Sequence, residues 1–499
     1  MEAKRYHPLS ILQDTIFFIR NSFFVILILF VFQSGSDRTW VIYGRYIFFV
    51  VAIGIIVAFF ISWLTYKYRL DETSFHLYKG VFNRTKQTIP FSKIQNISRK
   101  RSLFHRIFGV TSIHFETAIS GDDHSVVFQV ISQAEADRLQ SIVENYEEEP
   151  EYPVEKEEIH EGQEEQQVDE GASHRVVHFT PTTFDLLKAS FTSLSFLLLI
   201  PVIFTLYSNV GDLFEVEERA EGFISSLMSS WVFILFAAIA FIVLSIVFGI
   251  VRTFITYGKY EISSDEERIY IRKGVIEESS FSITKEKVQA VEITQTLLKR
   301  ILGLAEVRLT NAGSSRTSEK EVNSLYPFLP VKRAYSMVSE LLPTYEIVED
   351  MENLPRKSLW VRLLTPSLLW IIGSVVFYFV SPLYLNGIIP WWAASVVLLL
   401  VILLFRYLDY VNTRYFLNGP FIQFKSGSFN TSLFISKREK LIEFSLTRGL
   451  LQRKFGLVSI GTVNRSKPPY HNGIKDIPEG LGTTLYHWYR DRSEDIEIK

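Results

Sequence analysis

The fold is decided by three stretches that repeat one pattern: GVFNRTKQTIPFSKIQNISRKRSLFHRIFG at residues 80–109, GVIEESSFSITKEKVQAVEITQTLLKRILG at 274–303 and GSFNTSLFISKREKLIEFSLTRGLLQRKFG at 427–456. Each stretch begins and ends with glycine, and the two glycines are 29 residues apart every time without a gap. Such spacing at three places indicates an internal repeat.

Other residues keep the same register within the three copies. Arginine stands 26 residues after the first glycine in every copy, at Arg106, Arg300 and Arg453. Aliphatic residues share their offsets too: Ile94, Val288 and Leu441 at fourteen residues, then Leu103, Leu297 and Leu450 at twenty-three. The sequence therefore predicts three copies of one domain.

Each copy has the pattern of short antiparallel strands closed by a helix. Apolar residues alternate before the first glycine, which is typical of a strand, and glycine supplies the backbone freedom of a tight turn. The first copy then ends in a helical pattern in which Ser132 and Glu135 predict a capping box. About seven strands and a C-terminal helix predict a small β-barrel or split sandwich.

Six apolar stretches are long enough to cross a bilayer, and they come in pairs that precede the copies. They are residues 15–32 and 46–64, 184–206 and 231–250, and 368–384 and 389–405. The composition agrees, since 47% of the 499 residues are hydrophobic. We therefore predict a polytopic α+β membrane protein with six transmembrane helices in three hairpins.

Lysine and arginine are distributed unevenly around these stretches, with thirteen on the side of the N-terminus against Arg38, Arg45 and Arg219 on the other. The positive-inside rule then places both termini and all three domains in the cytoplasm, in the cell membrane. An alternative reading of the first stretch is a signal peptide, although no small-residue cleavage pattern follows Phe32. Arg20 lies within this stretch and is expected to reach the headgroups by snorkelling.

The remaining division of the chain follows from these elements. Between Glu144 and Glu170 thirteen acidic residues stand against Lys156 alone, which predicts a flexible linker. The predicted units are a hairpin at residues 1–65, a domain at 66–146, the acidic linker at 147–174, a hairpin at 175–256, a domain at 257–350, a hairpin at 351–409 and a domain at 410–499.

The copies resemble the pleckstrin-homology-like (PH-like) domains of bacterial membrane proteins of the YdbS/YdbT type. The resemblance rests on Gly80-Val81, Ile89-Pro90, Ile94-Gln95 and the run from Arg106 to Val110, with close matches in the second copy. The third copy departs from it, since Ser428 replaces the valine and Leu441-Ile442 replaces the aliphatic–glutamine pair. Three copies indicate the larger, YdbT-like member. The resemblance implies a PH-like fold and a smaller paralogue as partner, and it implies neither an activity nor a ligand.

The sequence contains none of the common catalytic or nucleotide-binding motifs, and it has no cysteine. We therefore expect no enzyme activity, no cofactor, no metal and no nucleic-acid partner. The candidate functional residues are basic side chains that lie close to the membrane in each copy. They are Arg99, Lys100, Arg101, Arg106, Lys299, Arg300, Arg448, Arg453 and Lys454.

These basic residues have two readings, contact with anionic headgroups or a partner, or an exposed face needed for solubility. For the repeated arginine we favour a salt bridge within its own domain. The repeat glycines Gly80, Gly109, Gly274, Gly303, Gly427 and Gly456 are expected to be structural. Taken together, the repeats, the apolar stretches and the missing catalytic motifs predict a non-catalytic scaffold or regulatory subunit of a membrane complex. The alternative is a transporter or lipid-handling protein whose hairpins form a pathway gated by the domains.

Overall fold

The computed structural model describes residues 3–491 except 34, 36–37, 81–83, 118–124, 145, 147–174, 193–230, 312–323, 385–389 and 467. The predicted acidic linker and most of the third predicted span lie outside the described residues. The chain divides into two compact units, residues 1–177 with 263–284 and residues 178–262 with 285–499.

The first copy has seven strands. Its strands are β1 Lys4–Arg5, β2 Lys67–Leu70, β3 Ser74–Lys79, β4 Thr85–Pro90, β5 Ile94–Arg101, β6 Val110–Thr117 and β7 Val126–Ser132. Its helices are α1 Leu9–Asn21, α2 Phe23–Ile26 with a π-helical continuation over Leu27–Phe32, α3 Thr39–Thr65, α4 Leu103–Ile107 and α5 Gln133–Glu144. One half of the predicted capping box is present, because the Ser132 hydroxyl accepts a hydrogen bond from the Glu135 amide at 3.3 Å. The Glu135 carboxylate binds Lys4 and Arg138 instead.

The second copy begins at β8 Val176–Phe179. It continues through α6 Thr183–Thr192, α7 Trp231–Tyr257, β9 Glu261–Ser264, β10 Arg268–Lys273 and β11 Glu278–Thr284. Its later elements are β12 Val288–Gln295, α8 Leu297–Ile301, β13 Leu304–Asn311, β14 Ser324–Pro330 and α9 Val331–Leu341.

The third copy repeats the order a last time. Its helices are α10 Arg356–Leu364, α11 Leu368–Tyr384, α12 Trp391–Asn412, α13 Leu450–Phe455 and α14 Glu479–Arg490. Its strands are β15 Glu352–Asn353, β16 Arg414–Asn418, β17 Phe421–Ser426, β18 Thr431–Lys437, β19 Leu441–Thr447, β20 Leu457–Asn464 and β21 Tyr470–Pro478.

Three helical segments of the described chain are long and apolar enough to cross a membrane, not the six that we predicted. They are Thr39–Thr65, Arg356–Val380 and Trp391–Asn412. The first predicted span is instead a pair of helices that bends by 58° where α1 ends, and it counts as a fourth crossing only if the pair forms one span. In the second hairpin, the fully described part of α7, Val243–Tyr257, is by itself shorter than a full crossing.

The core of the first copy joins its two sets of strands. Phe75 and Leu77 of β3 pack with Ile113 and Phe115 of β6, and all four side chains are fully buried. Leu139 of α5 closes the same core. The third copy has an equivalent core built from β17, β18, β20 and α14. Alternating apolar residues on short strands therefore produce the expected split sandwich.

The hydrogen-bonded sheets, in contrast, join consecutive copies. In one sheet the order is β7-β6-β5-β11-β10 and then β9 and β8, so that β5 of the first copy pairs with β11 of the second. In another the order is β14-β13-β12-β18-β17-β16-β15, so that β12 of the second copy pairs with β18 of the third. Strand pairing therefore joins the first copy to the second and the second to the third.

The first glycine of each repeat stands at a turn that only glycine fits well. Gly274 and Gly427 have φ values of 94° and 119°. A Cβ atom at Gly274 would lie 2.0 Å from the Glu277 carbonyl oxygen, and one at Gly427 would lie 2.0 Å from that of Asn430. The turn therefore requires both the positive φ and the missing side chain.

Candidate functional site at the repeat junctions

The two junctions between copies use the same strand register. At the first junction Glu278, four residues after its repeat glycine, pairs with Arg101, twenty-one residues after the glycine of its own copy. At the second junction Thr431 pairs with Gln295, and these residues again lie four and twenty-one positions after the first glycine of their own copies. Because a slip of one residue would turn every side chain to the other face, this agreement shows that each copy carries a specific surface for the next.

The repeated arginine belongs to these junctions. Arg106 donates a hydrogen bond at 3.1 Å to the carbonyl oxygen of Val275 in the second copy. Arg300 donates one at 3.1 Å to the side-chain oxygen of Asn412, whose amide in turn binds the carbonyl oxygens of Gly427 and Ser428. In the described residues neither arginine forms the salt bridge within its own domain that we expected.

The other predicted basic residues have varied surroundings. Arg99 forms an ion pair with Asp137 at 2.6 Å, and Arg448 forms one with Glu479 at 2.6 Å. Lys100 and Arg101 lie on β5, facing β11 across the first junction. These contacts give several of the predicted residues a role in holding the protein together, and contact with lipid stays a prediction.

Lys299 is the most buried of the predicted residues. Its ammonium group lies 2.8 Å from Glu306, and the side chains of both residues are about one-tenth exposed. Burial raises the pKa of the Glu306 carboxyl, but Lys299 and Arg308 outweigh this effect and hold that pKa below its ordinary value. The Glu306 carboxyl is therefore ionised at neutral pH, and its contact with Lys299 forms part of the fold of the second copy.

Several strands lie at the edge of a sheet within the described chain, and two of them, β4 and β19, stand where other copies form a junction. Strand β4 is the last strand of its four-stranded sheet, and β19 is the first strand of a three-stranded sheet. Each occupies the place in its copy of a strand that forms a junction elsewhere. Leu446 of β19 has the same offset as Ile293 of β12, yet Leu446 is 38% exposed while Ile293 is 4% exposed.

Arg453, unlike the equivalent arginines of the first two copies, binds no residue of a neighbouring copy in the described chain. It has the offset of Arg106 and Arg300, it is exposed, and within the described residues its guanidinium makes no hydrogen bond or ion pair. Lys454 beside it is exposed as well. The third copy therefore has the strand and the arginine of a junction, and no described strand covers them.

Sequence reasoning missed a buried arginine at the base of the third copy. Arg362 of α10 binds Asp409 at 2.8 Å and Asp476 at 3.1 Å, and it donates a further hydrogen bond to Thr413. These partners come from α12 and β21, far apart in sequence. The alternation of charged and apolar residues in α10 is the one sequence feature that could have predicted the burial of Arg362, and it is a weak signal.

The short helices α4, α8 and α13 expose large apolar side chains beside these basic residues. Ile107 is 77% exposed, Ile301 is 71% exposed and Leu450 is 87% exposed. Since Arg300 of α8 binds Asn412, the last residue of α12, this helix lies at the end of a membrane-length helix. Exposed apolar groups next to cations are typical of segments that contact a membrane interface.

The comparisons with known proteins agree with this repeat architecture. The family model described as "Bacterial PH domain" matches residues 23–147, 214–343 and 368–492. The chain is 26% identical over 507 residues to the UPF0699 transmembrane protein YdbT of Bacillus subtilis (strain 168), with 99% of each chain covered. No solved structure matches the chain. On this evidence of three matches that cover most of its length, the chain belongs to the bacterial PH domain family.

Proposed function

We propose that this chain is a non-catalytic scaffold of a membrane complex, and that the open end of its third copy binds a PH-like domain of a separate membrane protein. One observation carries the proposal: both junctions within the chain add a strand in one register, and β19 offers the same kind of edge with no described strand beside it. Adding a strand to an exposed edge is a common way of recognising another chain.

The side chains around β19 support this role. Leu446 would be buried by a following strand, as Ile293 is at the second junction. Arg453 would then bind backbone oxygens of the partner, as Arg106 binds the Val275 carbonyl. The partner that fits is a PH-like domain, since such a domain supplied the incoming strand at both existing junctions. A smaller PH-like paralogue, as implied by the family resemblance, meets this requirement.

A second copy of this chain fits the open end less well. In the shared register its Arg84 would stand opposite Arg448, where the first junction places Glu278 opposite Arg101. Like charges directly opposite each other in adjacent strands are unfavourable. A partner with a neutral or acidic residue at this place is favoured by the same argument.

The exposed apolar residues of α4, α8 and α13 support a position against the membrane surface. In that position Ile107, Ile301 and Leu450 reach the interface and the domains stay close to the bilayer. The cytoplasmic orientation and the six crossings remain predictions from the sequence. The transporter alternative also stays a prediction, because much of the second hairpin lies outside the described residues.

The proposal is tested by purifying the full-length chain from its native membranes in mild detergent and weighing the intact particle by native mass spectrometry. We expect a fixed ratio of this chain to a second membrane protein with a PH-like domain, and loss of that protein in Leu446→Arg. The control is Lys332→Glu, a charge-changing substitution at an exposed position outside β19, which should keep the complex. A particle with this chain alone, or with an unrelated protein that Leu446→Arg retains, contradicts the proposal.

A further inference from the structure

A cavity at the end of α3 gathers four basic side chains of the first copy. It has a volume of about 340 Å³, and its lining includes Lys67, Lys79, Arg84 and Lys86. Leu64 and Thr65, the last residues of α3, form another part of the wall. The cavity lies wholly within the first unit. Its size is within the range of small-molecule sites.

These four cations have no anionic partner in the described part of the chain. Lys86 lies 6.0 Å from the centre of the Tyr78 ring, and no hydrogen bond or ion pair is formed by the other three side chains. Most of the basic residues at the junctions do have a protein partner, as Arg99 has Asp137. Four unpaired cations around one cavity repel each other, so the arrangement favours an anion between them.

The cluster is not required by the fold, because the other copies lack it. At the four equivalent positions the second copy has Glu261, Lys273, Glu278 and Ser280, and the third copy has Arg414, Ser426, Thr431 and Leu433. The strands that begin at Lys67, Glu261 and Arg414 nevertheless keep the same place in each copy. The four positive charges are therefore a special property of the first copy.

The first copy is also the one in which this edge is open. In the second and third copies the equivalent strands, β11 and β18, are covered by β5 and β12. No described strand covers the outer side of β4, which carries Lys86. Arg84 and Lys86 are exposed in the first copy, whereas the residues at their two positions in the other copies are partly or fully buried.

The position of the cavity relates it to the membrane. Helix α3 has 27 residues and a length of about 40 Å, enough to cross the hydrocarbon core. Because the cavity lies at the end of this helix, its basic groups stand where phospholipid headgroups are found. Lysine and arginine near an anionic membrane surface each contribute about 1 kcal/mol of attraction.

We infer that this cavity binds the phosphate group of an anionic phospholipid headgroup. Arg84 offers a planar fork of donors that matches phosphate oxygens, and the three lysines supply point charges around it. The Thr85 hydroxyl lines the same cavity and has no hydrogen-bond partner among the described residues, so it can donate to a phosphate oxygen. Leu64 is placed to contact the apolar part of the lipid.

The test uses the full-length, delipidated chain in detergent micelles that contain phosphatidylcholine with or without phosphatidate, and native mass spectrometry counts the retained lipid. We expect one tightly held phosphatidate per chain, with an affinity at least about tenfold lower in the variant K67Q/K79Q/R84Q/K86Q. The control variant K93Q/K332Q/R465Q/K475Q removes the same charge at exposed positions outside the cavity and should retain the lipid. The single variant Arg84→Glu provides a second test with a smaller change to the protein.

A soluble phosphate ester has the same chemistry as the headgroup, and a second arm separates the two. Calorimetry with glycerol 3-phosphate and with inorganic phosphate measures binding to the chain in phosphatidylcholine nanodiscs. Weak or no binding there, together with tight phosphatidate retention, supports the lipid as the source. Tight binding of glycerol 3-phosphate that is lost in the fourfold variant keeps the phosphate site and assigns it to a soluble ligand. Equal lipid retention by wild type, fourfold variant and control overturns the inference.

Discussion

The first and third copies differ in the charges at the ends of their membrane-length helices. Near the end of α12 the cation Arg362 is buried and bound by Asp409 and Asp476. Near the end of α3 four cations line a cavity and have no anion among the described residues. A buried charge with partners from separate elements fixes a structure, whereas accessible charges without partners are available to a ligand. Arg362 stands on α10, before its membrane hairpin, whereas the four cations follow α3, so the two groups of charges occupy different places in their copies.

The largest expected effect follows from removing the buried cation. Arg362→Met leaves two aspartates without their partner, and we expect the free energy of unfolding to fall by about 3–5 kcal/mol. Arg84→Met, at the open cavity, should change it by no more than about 0.5 kcal/mol. Denaturant unfolding of the detergent-solubilised chain measures both. Equal losses in the two variants would remove the distinction between the two sites.

The repeated arginine gives a smaller effect of the same kind. Arg300→Met removes the hydrogen bond to Asn412, and we expect a loss of about 0.5–1.5 kcal/mol, because Arg300 is exposed and water competes for its guanidinium. Arg453→Met has the same offset but no described partner, so the unfolding of the isolated chain should hardly change. Thermal unfolding in detergent compares the two. A large loss for Arg453→Met would contradict an open third junction.

Acidification should reduce the stabilisation that the Glu306 carboxylate gives through its contact with Lys299. The pKa of Glu306 is held below its ordinary value in the folded chain, so the folded state binds its proton less readily than the unfolded state does. The stability from this ionised carboxylate is present above the unfolded pKa and is lost as the pH falls through the folded one. We expect the melting temperature of wild type to fall more steeply than that of Glu306→Gln below about pH 5. Parallel pH profiles would show that the pair contributes little.

The smallest expected effect concerns salt. Retention of phosphatidate by the cavity of the first copy should weaken as the salt concentration rises from about 0.05 to about 0.5 M, because exposed charges are screened. The melting temperature should depend less on salt, since the buried Arg362 cluster is shielded from the solvent. Native mass spectrometry and thermal unfolding across the same salt series separate the two responses.

Much of the repeat could be predicted from local sequence. The 29-residue spacing fixed the three copies, and the alternation of Phe75 and Leu77 indicated a strand whose side chains are buried in the structure. The capping pair at Ser132 and Glu135 marked the start of α5. The membrane count was less reliable, because hydropathy does not reveal the break between α1 and α2.

The site could be predicted only in part. The offset of Arg106 and Arg300 identified residues that matter in every copy, but their partners belong to the following copy. Within one copy, basic residues with a partner and basic residues without one have the same appearance. Lys67, Lys79, Arg84 and Lys86 are spread over twenty residues, and nothing in their spacing shows that they line one cavity.

The sequence by itself determined the number of copies, the strands and turns of each copy and the apolar helices, because these depend on periodicity and on glycine positions near in the chain. Only the tertiary structure decided which strands pair between copies, which edges stay open and which charges find a partner. Those outcomes depend on contacts between residues far apart in sequence. Hydrogen bonding at a strand edge is a property of every backbone, so the side-chain pattern alone does not say which neighbour will cover it.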